Sequence, residues 1–174
     1  ETVLAGKDCL CIMPTGGGKS LCYQLPAVLL EGVTLVVSPL IALMKDQVDS
    51  LQANGIAATC INSSLTSAEQ TDRLSEMAEG KFDLVYIAPE RLRNPRFMDA
   101  LRGTKVELLA IDEAHCVSTW GHDFRPEYKM LGTLKQALPH VAVHAYTATA
   151  ADRVQQDIIA GLQLKKPNLL VGSF

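Results

Sequence analysis

No uninterrupted apolar run in this sequence approaches the ~18 residues that a membrane-spanning helix needs. No leader with a basic start, an apolar centre and small residues opens it. Charge of one sign is not in excess either. The 174 residues carry a formal net charge of −3, whereas a dedicated polyanion binder is usually basic overall, so any contact with nucleic acid must come from a local patch. Cysteine occurs at Cys9, Cys11, Cys22, Cys60 and Cys116, an odd number with no CxxC spacing. That disfavours a disulfide framework or a zinc site and fits the reduced thiols of a cytosolic protein. His140 and His144 are four apart, but Val141-Ala142-Val143 between them reads as strand and lacks the glutamate of an HExxH site. Repeats, low-complexity tracts and charged tails are absent. There is no initiator methionine before Glu1, and the last residues are Ser173-Phe174. The expectation from these ends is a fragment cut from something longer.

What is present is ordinary for one soluble domain: 48% of residues are apolar and 20% charged, and the length suffices to bury a core. Strand-like runs alternate with helix-like stretches from end to end. The strand candidates are Cys9–Met13, Thr34–Ser38, Ala58–Ile61, Leu84–Ala88, Leu108–Asp112, Val141–Tyr146 and Leu169–Val171. They are mostly continuous in apolar character, as strands of a parallel sheet covered on both faces are. Between them Lys19–Leu30, Ala42–Asn54, Ser67–Glu79, Arg96–Leu101, Glu127–Leu138 and Asp152–Leu162 read as helices, with stop signals at Asn54-Gly55 and Glu79-Gly80. The expected fold is α/β: an open, mainly parallel sheet of about seven strands with helices on both faces. Ligands of such sheets bind beyond the carboxyl ends of the strands.

The first strand candidate runs into Pro14-Thr15-Gly16-Gly17-Gly18-Lys19-Ser20 and then a helix. Glycines let backbone N–H groups curl around a phosphate, and the helix N-terminus adds its positive dipole end. On this reading Thr15, Gly16, Gly17, Gly18, Lys19 and Ser20 bind the triphosphate of ATP. Lys19 sits on the β- and γ-phosphates and the Ser20 hydroxyl ligates Mg2+. The strict phosphate-loop pattern has a further glycine where Met13 stands, so this is a variant, with the nest confined to Thr15–Lys19. The dinucleotide alternative GxGxxG fails because its third glycine position is Leu21. A glycine-rich turn with a solvated lysine is the bland alternative; the order strand, turn, lysine, hydroxyl, helix weighs against it.

Asp112-Glu113 closes an otherwise apolar strand candidate. In a phosphate-loop enzyme an aspartate there holds the metal together with the loop hydroxyl, here Ser20. The adjacent glutamate orients or deprotonates the attacking water. Two solvated acids at a strand end are common, but their pairing with a phosphate loop favours hydrolysis of a nucleoside triphosphate. Immediately after comes a segment with neither helical nor strand periodicity. The whole stretch reads IDEAHCVSTWGHDFRPEY and holds the only tryptophan of the chain.

Taken together, these segments resemble the superfamily 2 helicases. Asp112-Glu113-Ala114-His115 is the DEAH form of motif II, and Pro14–Ser20 looks like motif I, which in that superfamily commonly lacks the first glycine. The run Val36 to Val48, containing SPLIALMKDQV, resembles motif Ia, and Tyr146-Thr147-Ala148-Thr149-Ala150 resembles motif III. Cys116 to Tyr128 is similar to the aromatic-rich loop of the RecQ family of DNA helicases, the bacterial form above all. The resemblance covers the whole chain in order and also includes MPTGGGKSLCYQ and YIAPERL.

The resemblance implies the first of two RecA-like lobes: a helicase ATP-binding domain over residues 1–174, truncated at its N-terminus, with the second lobe and the zinc, winged-helix and HRDC modules absent. It implies a parent enzyme that moves 3′ to 5′ on DNA using ATP and Mg2+, serves DNA repair and recombination, and works in the bacterial cytoplasm at the nucleoid. Its partners are single-stranded and partly duplex DNA and the second lobe, with no membrane. It also implies that the aromatic loop senses single-stranded DNA through Trp120, His122, Phe124 and Arg125. Aromatic faces stack on any base at about 1–3 kcal/mol each, and a guanidinium adds phosphate or cation–π contact. His115 is the expected bridge from that loop to Glu113. Ser38 and Lys45 are expected at the DNA backbone, although Lys45 serves equally as a solvated helix charge. Thr147 and Thr149 are expected to hydrogen-bond the motif II carboxylates, with β-forming side chains as the alternative. The basic run Glu90 to Arg96 reads as a phosphate-contacting rim or as a solvated helix start.

Without the second lobe's arginine finger and the upstream adenine-reading glutamine, the expectation for the chain by itself is weak ATP binding, poor base discrimination, little hydrolysis and no unwinding. Two other classes stay open: a nucleotide-dependent binding module without turnover, and a phosphate-loop ATPase whose partner is not nucleic acid. An exposed Trp-His-Phe-Arg cluster separates the latter, which has no use for one.

Overall fold

The computed structural model describes residues 2–14, 16, 18–148 and 151–172. Alternating apolar side chains explain why these segments form a two-sided sheet. Along β1 (Cys9–Ile12), Leu10 and Ile12 face one apolar cluster while Cys9 and Cys11 face another. The same division runs through β2 (Val33–Val37), β4 (Leu84–Ile87), β5 (Val106–Ile111) and β6 (Ala142–Thr147). Every strand buried on both faces needs a helix layer on each side. One layer is α1 (Lys19–Leu29) and α2 (Ile41–Ala53), which bury Tyr23, Ala27, Met44, Val48 and Leu51. The other is α3 (Ser67–Ala78), α4 (Pro95–Arg102), α5 (Gly132–Ala137) and α6 (Asp152–Gly161), through Met77, Phe97, Leu101, Leu134, Val154 and Ile158.

With β3 (Ala58–Ile61) and β7 (Asn168–Val171), the sheet has seven strands in the order β3-β4-β2-β5-β6-β1-β7, and every adjacent pair is parallel. This is the expected fold class. Element ends differ from the sequence expectations by one or two residues. The exception is Glu127–Leu138, expected as one helix but divided into a 3-10 segment, Pro126–Leu131, and the short α5. At the junction Gly132 packs against the Gly161 carbonyl oxygen, only 2.8 Å from where a β-carbon would lie. Two further 3-10 segments, Pro89–Arg93 and Ala114–Val117, carry no apolar periodicity long enough to announce them.

A buried ion pair ties the amino edge of the sheet together. Lys135 Nζ donates to both Asp8 carboxylate oxygens at 2.8 and 2.9 Å, and the backbone N–H groups of Val143 and Lys165 donate to the same carboxylate. Burial pushes the Asp8 pKa up, but these hydrogen bonds outweigh it and hold the group below its ordinary value.

Candidate nucleotide and DNA-sensing site

Because β6 lies between β5 and β1, the segments that follow these three strands emerge side by side at one sheet edge. The loop after β1 carries the glycines, the end of β6 carries Thr147, and Asp112 follows β5. Backbone bonds fix the edge: Met13 N–H donates to the Thr147 carbonyl at 3.0 Å, and Asp112 N–H to that of Val37 at 2.9 Å.

Gly16 and Gly18 have φ of 81° and 76°, a left-handed backbone that a side chain would strain. A β-carbon on Gly16 would meet nothing within 4 Å, so its backbone lines open space. Gly18 caps α1, whose first turn has no side-chain cap and no acidic residue. Its amide groups and dipole are therefore open to an anion. Lys19 and Ser20 occupy the first two helical positions, both half-buried. Thr15 and Gly17 lie outside the described residues, as does Thr149 of motif III.

Asp112 is only 8% exposed. Burial, then the charge of Glu113, pushes its carboxyl above the usual range, partly offset by the Glu113 N–H at 2.9 Å and by the Lys19 and His115 charges. A desolvated carboxylate of this kind gains from a nearby cation. With a hydroxyl at Ser20 it forms the hard oxygen donor set that suits magnesium. The residues present therefore fit Mg2+ and a nucleotide phosphate. Burial, and secondarily the Asp123 charge, pushes the Cys116 thiol up to about 12. All five cysteines are free thiols.

Glu113 has φ 51°, a left-handed conformation that costs a non-glycine residue about 1–2 kcal/mol. The sharp turn starts the buried segment Ala114–Val117, and the Glu113 carboxylate lies 3.4 Å from His115 Nδ1. Tyr128 holds the strand end from behind, its hydroxyl donating to the Asp112 carbonyl at 2.8 Å. His115, 3% exposed, occupies the centre. Its Nδ1 is 2.8 Å from Thr147 Oγ1 and 3.4 Å from Glu113 Oε2, while its ring stacks on His122 at 4.3 Å between centroids. Burial first, and then the His122 and Lys19 charges, lower its pKa against the pull of Asp123 and Asp112, favouring the neutral imidazole.

The aromatic loop folds back on this turn, with Arg125 N–H donating to the Cys116 carbonyl at 2.9 Å. Trp120 projects outward, 67% exposed, so it is no core staple. His122 is exposed apart from its stack, and Phe124 is half-buried beneath Lys129 Nζ at 5.3 Å. Arg125 pairs with Asp123 at 3.3 Å. Lys45 is exposed on α2 and paired with Asp49 at 2.6 Å. Ser38 departs from its expected surface position: it is 3% exposed, and its hydroxyl accepts the Leu40 N–H at 3.3 Å, closing the β2–α2 turn. In the Glu90–Arg96 run, Arg91 donates to Gln70 at 2.7 Å, and Arg93 and Arg96 are exposed.

Four features escaped sequence reasoning. Tyr128 supports Asp112. Gly121 brings the loop so close that a β-carbon would lie 2.7 Å from the His115 carbonyl oxygen; a glycine directly after the tryptophan was the available signal. Arg153 of α6 stands over the Trp120 ring at 5.1 Å, and Asp157 accepts the Ser118 hydroxyl at 2.6 Å. Both read only as helix charges in the sequence.

A parallel sheet with an uncapped helix behind a glycine loop, and a buried aspartate two strands away, defines a nucleotide-binding lobe of the phosphate-loop class. The sequence model of the DEAD/DEAH box helicases matches residues 1–158. The chain belongs to that family. It is 52% identical over all of its 174 residues to the ATP-dependent DNA helicase RecQ of Pasteurella multocida, and 50% identical over 98% of the chain to that of Bacillus subtilis. It spans 28% and 29% of the lengths of those two proteins. In fold it is similar to the DUF1998 helicase MrfA bound to DNA, with a TM-score of 0.74 and 18% identity over 98% of this chain and 24% of that one. Among the described residues no helix is long and apolar enough to cross a membrane.

Proposed function

We propose that this chain is the ATP-binding lobe of a RecQ-type DNA helicase that moves 3′ to 5′, and that its own residues couple single-stranded DNA to ATP hydrolysis. The carrying observation is His115, which touches Glu113 and Thr147 through one ring nitrogen and His122 through its face. Magnesium-bound ATP supplies the phosphoanhydride that is hydrolysed. Lys19, Gly16, Gly18 and the N-terminus of α1 bind its phosphates, and Thr15 and Gly17 complete the nest. Ser20 and Asp112 hold the metal. Glu113 takes a proton from the attacking water. His115 holds the Glu113 carboxylate and feels the aromatic loop, so a base stacked on Trp120 or displacing His122 alters the setting of the general base. Thr147 and Thr149 pass the change to the strand end.

Phe124 and Arg125 complete the DNA contact, Arg125 exchanging Asp123 for a phosphate. Lys45 exchanges Asp49 in the same way, while Ser38 stays within the β2–α2 turn. A second RecA-like lobe supplies the arginine that completes the ATP site, an effect of about 10³–10⁵ in rate in related chemistry. The parent acts on partly duplex DNA at the bacterial nucleoid.

The test is ATP hydrolysis with and without a single-stranded oligonucleotide, with Lys19→Ala as the blank. Activity above the blank that rises with DNA supports the reading for the lobe itself. Activity equal to the blank, with nucleotide and DNA still bound, assigns turnover to the two-lobe protein. A chain that binds neither ligand contradicts the reading.

A further inference from the structure

We propose that Arg153 is a positioning residue for DNA sensing: it backs one face of Trp120, presents the opposite face to a base, and ties that ring to the helix behind motif III. This rests on the reading above that the aromatic loop contacts single-stranded DNA. The guanidinium carbon lies 5.1 Å from the centre of the Trp120 ring. Planar and weakly hydrated, a guanidinium stacks well on an indole face. With the residue 67% exposed, the contact closes no core. An unbacked tryptophan at a loop tip samples several rotamers, and each must be given up when a base stacks on it.

The contact is one side of a closed circuit. Arg153 Nε faces Asp157 Oδ1 at 3.9 Å, one helical turn on. Asp157 Oδ2 accepts the Ser118 hydroxyl hydrogen at 2.6 Å, and the Ser118 oxygen accepts the Trp120 N–H at 3.1 Å. Ring and backbone of Trp120 are thus both referred to α6. That helix is seated hard on the DEAH turn at its other end, where a β-carbon on Gly161 would come within 2.8 Å of Val117 Cγ2. It begins at Asp152, five positions after Thr147, the last residue of β6. Whatever moves Trp120 moves against the same helix that follows motif III.

Trp120 is the only tryptophan of the chain, so its fluorescence reports on this ring alone. Without DNA, Arg153→Ala is expected to lower the steady-state anisotropy of Trp120 and raise its quenching by acrylamide, with the thermal midpoint unchanged. Arg153→Lys is expected to restore much of both, since an ammonium also binds the ring face. For a labelled single-stranded oligonucleotide, Arg153→Ala is expected to weaken binding about 2–5-fold, the factor matching an exposed cation–π contact. The effect should vanish in a Trp120→Ala background. The salt dependence separates this role from a phosphate contact. Positioning leaves the slope of log K against log salt unchanged, whereas loss of a phosphate contact lowers it by about one. A lowered slope, or a Trp120 signal indifferent to Arg153→Ala, overturns the proposal. If Trp120→Ala itself leaves oligonucleotide binding unchanged, the loop reading fails instead.

Discussion

His115 Nδ1 lies 2.8 Å from Thr147 Oγ1, joining the DEAH turn after β5 to the end of β6 directly beside the glycine loop of β1. The other side of the same imidazole is stacked on His122. A single buried ring therefore touches the general-base candidate, the strand that separates the two halves of the ATP site, and the aromatic loop.

Replacing His115 by alanine, or Thr147 by valine, is expected to lower DNA-stimulated ATP hydrolysis by about tenfold, the loss of one buried hydrogen bond worth roughly 1–3 kcal/mol. Nucleotide affinity should stay within about twofold, since neither residue belongs to the phosphate nest. Equilibrium binding of a fluorescent ATP analogue beside the hydrolysis rate checks both halves.

Gly121→Ala tests the close return of the loop. Its β-carbon would sit 2.7 Å from a backbone oxygen that cannot rotate away, so the loop must lift. Overpacking of this kind costs about 1–3 kcal/mol. The expected outcome is loss of DNA stimulation with unstimulated hydrolysis retained, and a measurable shift of Trp120 emission.

The buried imidazoles set a pH dependence. Burial first lowers the pKa values of both His115 and His144. The folded protein then binds fewer protons than the unfolded chain, so their contribution is fully present above the unfolded value of about 6.5 and is lost as pH falls through the lowered folded values. Denaturant titrations from pH 7.5 downward should show stability declining below about 6.5, with a shallower decline in His115→Asn.

Asp8→Ala leaves the Lys135 ammonium buried without its carboxylate. Breaking one partner of such a pair costs about 3–5 kcal/mol. Urea unfolding should register that loss, and a paired Asp8→Asn, Lys135→Met variant should recover a large part of it.

The sheet, its helices and the phosphate loop were legible because they rest on local signals: continuous apolar runs, stop residues, and a glycine loop placed between strand and helix. The DEAH segment and the aromatic loop were legible through resemblance, since no periodicity marks an irregular loop. What stayed hidden depends on contacts distant in sequence. Asp157 meets Ser118 across 39 positions, and Arg153 reaches Trp120 from a different element. Ser38 misled because a hydroxyl at a strand end suits a ligand and a turn equally well; burial under the β2–α2 connection decides between them. The 3-10 segments were hidden because their lengths, four to six residues, are too short for a helical period to emerge.

The central claim is that the aromatic loop and the nucleotide site share one coupling free energy. The most direct measurement is the affinity of a single-stranded oligonucleotide, read from Trp120 fluorescence, with and without saturating magnesium and a non-hydrolysable ATP analogue. Coupling predicts different affinities in the two states, and by linkage the same factor in analogue affinity with and without DNA. Identical affinities, with Trp120 responding to DNA in both states, would contradict the account and leave two independent sites on one lobe.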